Sequence, residues 1–127
     1  MPLDPTLVQP LPTGAEDATD VGHAVVEYLT SRGLDGIAKD HESRIVFGEK
    51  KYGQRLKINN GRDYLLDSLQ ECLDGLSYLM QGHLEGNRHC LPLFNRIADI
   101  ADDIRSIMLP IDSEEKITNL EKEAVKE

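Results

Sequence analysis

The residues from Tyr64 to Met80 carry an apolar pattern that fits an α-helix. Written on a helix, the apolar side chains share one broad face, which holds Leu65, Leu66, Leu69, Cys72, Leu73, Leu76, Leu79 and Met80. No segment of the chain shows a strand pattern that competes with the helical one, and no internal repeat is visible. The sequence therefore predicts an all-α fold built around this central helix, which should end around Gln81–Gly82.

The opposite side of this helix carries a row of carboxylates, Asp63, Asp67, Glu71 and Asp74. Neighbours at these spacings lie close together on a helix and repel each other by about 0.2–0.5 kcal/mol per pair. No Lys or Arg stands between Asp63 and Asp74 to compensate their charge. A bound divalent cation would supply the compensating positive charge. The alternative is that the row is simply an acidic surface that faces solvent.

Three further helices are predicted along the chain. The first begins after Asp17, Thr19 and Asp20 and ends near Arg32–Gly33. The second runs from about Asp35 to Tyr52 and ends at Gly53. The fourth begins at Pro92 and ends at Pro110. The fourth carries its own apolar stripe, made of Leu93, Ile97, Ile100, Ile104 and Met108. We expect an extended Pro-rich arm over residues 1–16, a helical domain over 17–109, and a charged helix or tail over 110–127.

Two glutamates fall on the apolar side of the predicted second helix. Glu42 and Glu49 lie seven residues apart, beside Ala38, Ile45 and Val46. A carboxylate is costly on a buried face unless it is paired or bound to a metal ion. Both glutamates are therefore candidate metal ligands; the alternative is that they lie at the rim of the face and point toward solvent.

Basic residues cluster between the second and third helices, in a chain whose formal net charge is −9. They are Lys50, Lys51, Arg55, Lys57 and Arg62. Basic groups beside an acidic metal-binding row are what a metal-bound triphosphate requires. The alternative is that some of them pair with acids on the helix surfaces.

Composition excludes several other classes of function. A net charge of −9 and a pI near 4.8 argue against binding of nucleic acid through its backbone. Cys72 and Cys90 fit no metal or redox spacing, so we expect free thiols in a reducing compartment. The set His83, His89 and Cys90 lacks the ligand spacing of a zinc site, so we expect these to be ordinary loop residues. No signal peptide and no apolar run of about 18 residues is present, which predicts a soluble intracellular protein.

Several short elements, taken in order, resemble the MazG-like all-α nucleoside triphosphate pyrophosphohydrolases. They are Phe47-Gly48-x-x-Lys51-Tyr52-Gly53, Asn60-Gly61-Arg62-Asp63, Asp67, Gln70-Glu71-x-x-Asp74 and Tyr78. The resemblance covers about residues 17 to 108 and is strongest to short phage-encoded members. It implies a four-helix MazG-like bundle, active as an intertwined dimer or dimer of dimers. Family members use Mg²⁺ or Mn²⁺ to cleave a nucleoside triphosphate between the α and β phosphates.

The resemblance also implies a set of metal ligands. The family site is usually written as Glu-x-x-Glu on one helix and Glu-x-x-Asp on the next; Glu71 and Asp74 match the second pair. Glu49 matches half of the first pair, because Val46 stands three residues before it. Glu42 or Asp67 would complete the set. The expected catalytic residues are thus Glu42, Glu49, Glu71 and Asp74, and the expected metal ligands are the same four with Asp67.

The substrate contacts are expected from the loop and from the central helix. Lys51, Arg55 and Arg62 would bind the phosphates, and Asn59, Asn60 and Tyr78 would bind the nucleotide. Some phage members of the family are linked to purine deoxynucleotides, so the expected substrate is a purine dNTP such as dGTP or dATP, in the host cytoplasm. The alternatives are a non-catalytic helical module that binds a nucleotide or a protein, a structural oligomer-forming bundle, and a hydrolase that removes a single phosphate.

Overall fold

The computed structural model describes residues 3–109, and this range contains four α-helices and no strand. The helices are α1 (Val21–Ser31), α2 (Asp35–Tyr52), α3 (Tyr64–Leu84) and α4 (Cys90–Met108). The predicted all-α class is confirmed, while the predicted helix or tail over 110–127 lies outside the described residues. None of the four helices is both long enough and apolar enough to cross a membrane.

The first two helices begin and end where their capping residues predict. The Asp20 carboxylate accepts a hydrogen bond from the backbone N–H of His23 and so caps α1. Gly53 closes α2 in the left-handed conformation, with φ 74°, and its N–H donates to the Glu49 carbonyl at 2.8 Å. Glycine suits this place because a side chain disfavours positive φ.

Two predicted boundaries were wrong by a few residues. Helix α3 continues past Gly82 to Leu84, and α4 begins at Cys90, so that Pro92 is its third residue and not its first. The first N–H groups of a helix have no partner within it, so proline is tolerated anywhere in the first turn. Gly82 brings α3 close to the start of α4, since a Cβ added there would lie 2.5 Å from Cys90 Sγ.

The described chain forms two compact units. One unit is Gln9–Arg62, in which α1 packs against α2 around the buried Ala38. The other contains α3, α4 and residues 3–8. There α3 packs against α4, and the buried side chains are Leu66, Leu69 and Ala101. Each unit thus has a small core of its own, formed by a pair of sequential helices.

Gly22, the second residue of α1, lets Ile45 of α2 approach the α1 backbone. A Cβ added to Gly22 would lie 2.6 Å from Ile45 Cδ1 and 2.9 Å from its Cγ1. We expect Gly22→Ala to lower the free energy of unfolding by about 1–3 kcal/mol, because overpacking displaces the stiff Ile45 side chain. Denaturant unfolding measures this. Gly36 is the matched control, since it is the second residue of α2 and an added Cβ there meets nothing within 4 Å; equal stability of the two alanine variants would contradict the prediction.

Candidate functional site

The loop that follows α2 is held by the segment that precedes α1 and by the first residue of α1. Three backbone hydrogen bonds join the two: Thr13 N to Asn60 O at 2.8 Å, Val21 N to Leu56 O at 3.0 Å, and Ile58 N to Thr19 O at 3.1 Å. An isolated antiparallel bridge between Asp20 and Lys57 belongs to the same contact. The Lys57 ammonium adds a hydrogen bond to the Glu16 carbonyl at 3.2 Å. The basic loop therefore has a defined conformation within its unit.

A cavity of about 440 Å³ lies between these two segments. Three of the predicted site residues line it together, Glu49, Arg55 and Asn60, and Glu16 and Lys57 add one charge of each sign. All of these residues belong to the unit Gln9–Arg62. This cavity is the candidate functional site, because it brings a carboxylate, a guanidinium and an amide of the predicted set to one place.

A larger cavity of about 650 Å³ lies between α3 and Phe94 of α4. Its wall is mainly apolar and includes Leu76, Met80 and Leu84. None of the predicted site residues lines it, and Glu85 is the one charged residue among its lining residues. The smaller cavity, which gathers charges of both signs, therefore remains the candidate functional site.

Arg55 contacts two carboxylates of its unit, one from α2 and one from the residue that caps α1. Its Nε donates a hydrogen bond to Glu49 Oε2, and its Nη1 donates to Asp20 Oδ2 at 3.2 Å. The sequence pattern assigned Arg55 to phosphate and Glu49 to a metal ion, whereas the structure places the two side chains in contact with each other. Asp20 was identified from the sequence only as a helix-start residue, and the separation of 35 residues from Arg55 gives no local signal of their pairing.

The contacts around Arg55 shift the pKa of Asp20 and the pKa of Arg55 itself. The pKa of Asp20 is lowered first by the hydrogen bond from the His23 backbone N–H and also by Arg55, while partial burial acts in the opposite direction. The hydrogen bonds to Glu49 and Asp20 raise the pKa of Arg55. Arg55 therefore keeps its positive charge near neutral pH.

Asp20→Asn should reveal this charge through the pH dependence of stability. The pKa of Asp20 is lowered from its ordinary value of 3.8 in the folded chain, so its charge stabilises the fold above that value and the stabilisation is lost as the pH falls through the lower folded pKa. Asn caps helices as well as Asp does, so the variant removes the charge and keeps the cap. Thermal unfolding should find the variant less stable at pH 7 and equal to the wild type well below pH 3.8. A difference in thermal stability between the two proteins that stays constant with pH would contradict this prediction.

Other residues of this unit that were predicted to bind substrate have contacts within the chain. Arg62 Nη1 donates to the Pro10 carbonyl at 2.9 Å, and the Lys51 ammonium lies 5.3 Å from the centre of its neighbour's ring, Tyr52. Asn60 Oδ1 accepts from the Arg62 backbone N–H at 3.0 Å. Asn59 holds a left-handed backbone conformation, with φ 56°. Arg62 and Asn60 thus fix the loop in the described structure.

The acidic row of α3 divides into residues with different surroundings. Asp63 caps the helix by accepting hydrogen bonds from the backbone N–H groups of Leu65 and Leu66, each at 3.1 Å. Asp67 is half-buried in the first turn, whereas Glu71 and Asp74 are exposed one turn apart. Tyr78 is also exposed. The Glu71–Asp74 pair is therefore the part of the row best placed to bind a ligand.

Residue Gln70 has a contact that the sequence did not reveal. Its Nε2 donates to the Pro5 carbonyl at 3.0 Å and to the Leu7 carbonyl at 2.9 Å. Asp4 stabilises this turn, because its Oδ1 accepts from Thr6 N at 2.9 Å and from Thr6 Oγ1 at 2.6 Å. The beginning of the predicted extended arm is thus anchored on α3 of its own chain.

Across residues 3–109, no three side chains of His, Cys, Asp or Glu are grouped so that they could hold a metal ion. Mg²⁺, however, is commonly held by one or two carboxylates while substrate phosphates and water complete its shell. The exposed Glu71–Asp74 pair offers the oxygen donors that such an ion takes. Glu42 and Glu49 are exposed on α2, in the other unit, so their sharing of one ion with α3 stays a prediction.

Comparison with protein-family models, with curated proteins and with solved structures finds no match for this chain. The resemblance to MazG-like enzymes therefore rests on the motif residues alone.

Proposed function

We propose that this protein is a metal-dependent, MazG-like nucleotide pyrophosphohydrolase. It cleaves a (d)NTP, and specifically a purine dNTP such as dGTP or dATP, between the α and β phosphates to give (d)NMP and pyrophosphate. The observation that carries the proposal is the 440 Å³ cavity in which Glu49, Arg55 and Asn60 meet. The exposed Glu71–Asp74 pair on α3 supports it with two further carboxylates.

Phosphate binding falls to the basic residues in and around the cavity. Arg55 has a planar fork of donors that matches phosphate oxygens, and Lys57 adds a second positive charge to the lining. A triphosphate is repelled by a chain of net charge −9 unless such groups gather at one place. Lys51 and Arg62 complete the proposed set, which neutralises the charge that develops on the leaving pyrophosphate.

The carboxylates have two proposed tasks. Glu49, Glu71 and Asp74, with Glu42 and Asp67 as further ligands, would hold Mg²⁺ or Mn²⁺ through their oxygen atoms. Such an ion, when bound, supplies positive charge to the phosphates and lowers the pKa of the attacking water. A carboxylate that does not bind the ion accepts the proton of that water. Asn59, Asn60 and Tyr78 contact the nucleoside.

The enzyme is proposed to work as a homo-oligomer, a dimer or a dimer of dimers. Three apolar side chains of α4, Leu93, Ile100 and Ile107, stand seven residues apart and are all exposed in the single chain. A seven-residue apolar repeat is the pattern that packs against another helix. Sedimentation across a range of protein concentrations measures this directly, and a monomer at all concentrations would contradict it.

A second candidate function is a helical module that binds nucleotides without hydrolysing them. Val46 favours it, because it stands on α2 where the family pattern carries a glutamate. In this alternative Arg55 and Asn60 would bind the ligand, and no turnover would follow. The two candidates differ in their products and share the cavity.

The test is a panel of the eight common nucleoside triphosphates, each with Mg²⁺ and with Mn²⁺, resolved by ion-exchange chromatography. Monophosphate and pyrophosphate without diphosphate are the expected products, and the fastest substrate identifies the base and the sugar. Diphosphate as the product would show that the protein is a hydrolase but would contradict cleavage between the α and β phosphates. Thermal stabilisation by nucleotide with no product would favour the binding module.

A further inference from the structure

The segment that precedes α1 forms part of the wall of the candidate site. Residues 12–16 all line the 440 Å³ cavity, together with Asn60 of the loop that follows α2. Thr13 joins the two segments, because its N–H donates to the Asn60 carbonyl at 2.8 Å and its hydroxyl donates to the same oxygen at 3.3 Å. The position of Asn60 in the cavity wall therefore depends on how closely residues 12–16 approach the loop.

Gly14 permits this close approach. Its φ of 123° is a backbone angle that residues with a side chain rarely adopt. A Cβ added there would lie 2.9 Å from the Asn59 carbonyl oxygen and 3.6 Å from the Asn60 Cα. Both neighbours are backbone atoms, so neither can turn aside as the end of a flexible side chain does. A side chain at position 14 would thus push the backbone of Asn59 and Asn60 away from residues 12–16.

Asn60 is the residue through which such a displacement would reach a ligand. It is half-buried, and its Oδ1 accepts a hydrogen bond from the Arg62 backbone N–H at 3.0 Å. Its amide NH₂ group makes no hydrogen bond within the part of the chain that the structure describes. This group is therefore left to donate to a ligand in the cavity.

We propose that Gly14 is a positioning residue of the nucleotide site. Because it has no side chain, residues 12–16 lie against Asn59 and Asn60, and the Asn60 amide is held where it donates to the nucleoside. Gly14 itself acts through Asn60 and not on the ligand. This inference rests on the proposed function, which assigns Asn60 to the nucleoside.

Gly14→Ala should weaken nucleotide binding by about two- to tenfold, which is the usual contribution of one hydrogen bond between neutral groups. Calorimetry with the α,β-methylene analogues of dGTP and dATP and Mg²⁺ measures the dissociation constant, because the bridge between their α and β phosphorus atoms cannot be hydrolysed. With dGTP and dATP themselves the variant should raise KM and leave kcat nearly unchanged, since Asn60 is assigned to the nucleoside and not to the reacting phosphorus. Hydrogen exchange of the Thr13 amide, measured by nuclear magnetic resonance, should become faster, because its hydrogen bond to Asn60 is disturbed.

Gly33→Ala is the matched control for strain in the backbone. Gly33 lies in the same unit and also has a positive φ, 76°, but an added Cβ there meets nothing within 4 Å. This variant should change neither the dissociation constant of the analogues nor the exchange of the Thr13 amide.

Asn60→Ser tests whether Gly14 acts through Asn60. Serine keeps an oxygen that can accept from the Arg62 N–H and lacks the amide NH₂ group. In the Asn60→Ser background, Gly14→Ala should therefore have little further effect on the dissociation constant. If Gly14→Ala loses its helical circular dichroism, Thr13→Val replaces it, because valine keeps the shape of the side chain and removes the hydroxyl hydrogen bond to the Asn60 carbonyl.

Each result has a distinct meaning. Wild-type affinity in Gly14→Ala, or unchanged exchange of the Thr13 amide, would overturn the role of Gly14 and leave the proposed enzyme intact. Equal weakening in Gly33→Ala, or a full effect of Gly14→Ala in the Asn60→Ser background, would do the same. Binding of the analogues without turnover of dGTP or dATP would contradict the proposed hydrolysis alone, and the dissociation constants would still decide the role of Gly14. A wild type that binds neither analogue at millimolar concentrations would overturn both proposals.

Discussion

Glu71→Gln and Asp74→Asn should each reduce nucleotide hydrolysis by a factor of about 10²–10⁴. Both substitutions remove a negative charge while keeping the size of the side chain. Both residues are exposed on α3, so the change should leave the packing of α3 against α4 untouched. The loss should therefore appear in kcat, with helical circular dichroism and thermal unfolding close to those of the wild type.

Asp102→Asn is the control for a neutralised carboxylate outside the proposed site. Asp102 is exposed on α4, in the same unit as Glu71 and Asp74. The Asp102→Asn variant should keep full activity, because Asp102 lies outside the proposed site. Its stability should also be unchanged, since surface substitutions away from special features change stability by less than about 0.5 kcal/mol. Wild-type activity in both α3 variants would contradict their assignment as metal ligands, whatever the products of the panel.

Helix positions were predictable from the sequence because their signals are local. Asp20 at the start of α1 and Gly53 at the end of α2 act through hydrogen bonds and backbone angles within a few residues. The boundary at Gly82 was not predictable in the same way. There the glycine serves packing against Cys90 and does not end the helix, and only the contact between α3 and α4 decides which of the two roles it has.

The candidate site was predictable as a list of residue types and less so as a set of contacts. Glu49, Arg55 and Asn60 were expected at a site and do share a cavity. The ion pair between Glu49 and Arg55 was left open only as a general alternative, and the pairing with Asp20 was not foreseen, because it joins residues far apart in the chain. Charge patterns indicate that compensation is needed, but they do not show which partner supplies it.

Few side chains of α3 and α4 are fully buried in the part of the chain that the structure describes. Most of the apolar stripe predicted on α3 is only half-buried in the single chain, and Leu73 is exposed. Leu66 and Leu69 are the exceptions, each with 3% of its surface exposed. With Ala101 they are the buried apolar residues of this unit among those that the structure describes, so they are the α3 side chains whose truncation removes most buried surface.

Leu66→Ala and Leu69→Ala should each lower the free energy of unfolding by about 2–5 kcal/mol, because each removes a buried side chain and leaves a cavity. A small domain has only about 5–15 kcal/mol in total, so the double variant should lose most of its stability. Urea unfolding followed by circular dichroism measures both. Leu84→Ala is the control on the same helix, since Leu84 is 77% exposed, and it should cost less than about 0.5 kcal/mol. Similar losses at Leu66 and Leu84 would contradict the described core and place the apolar contacts of α3 elsewhere.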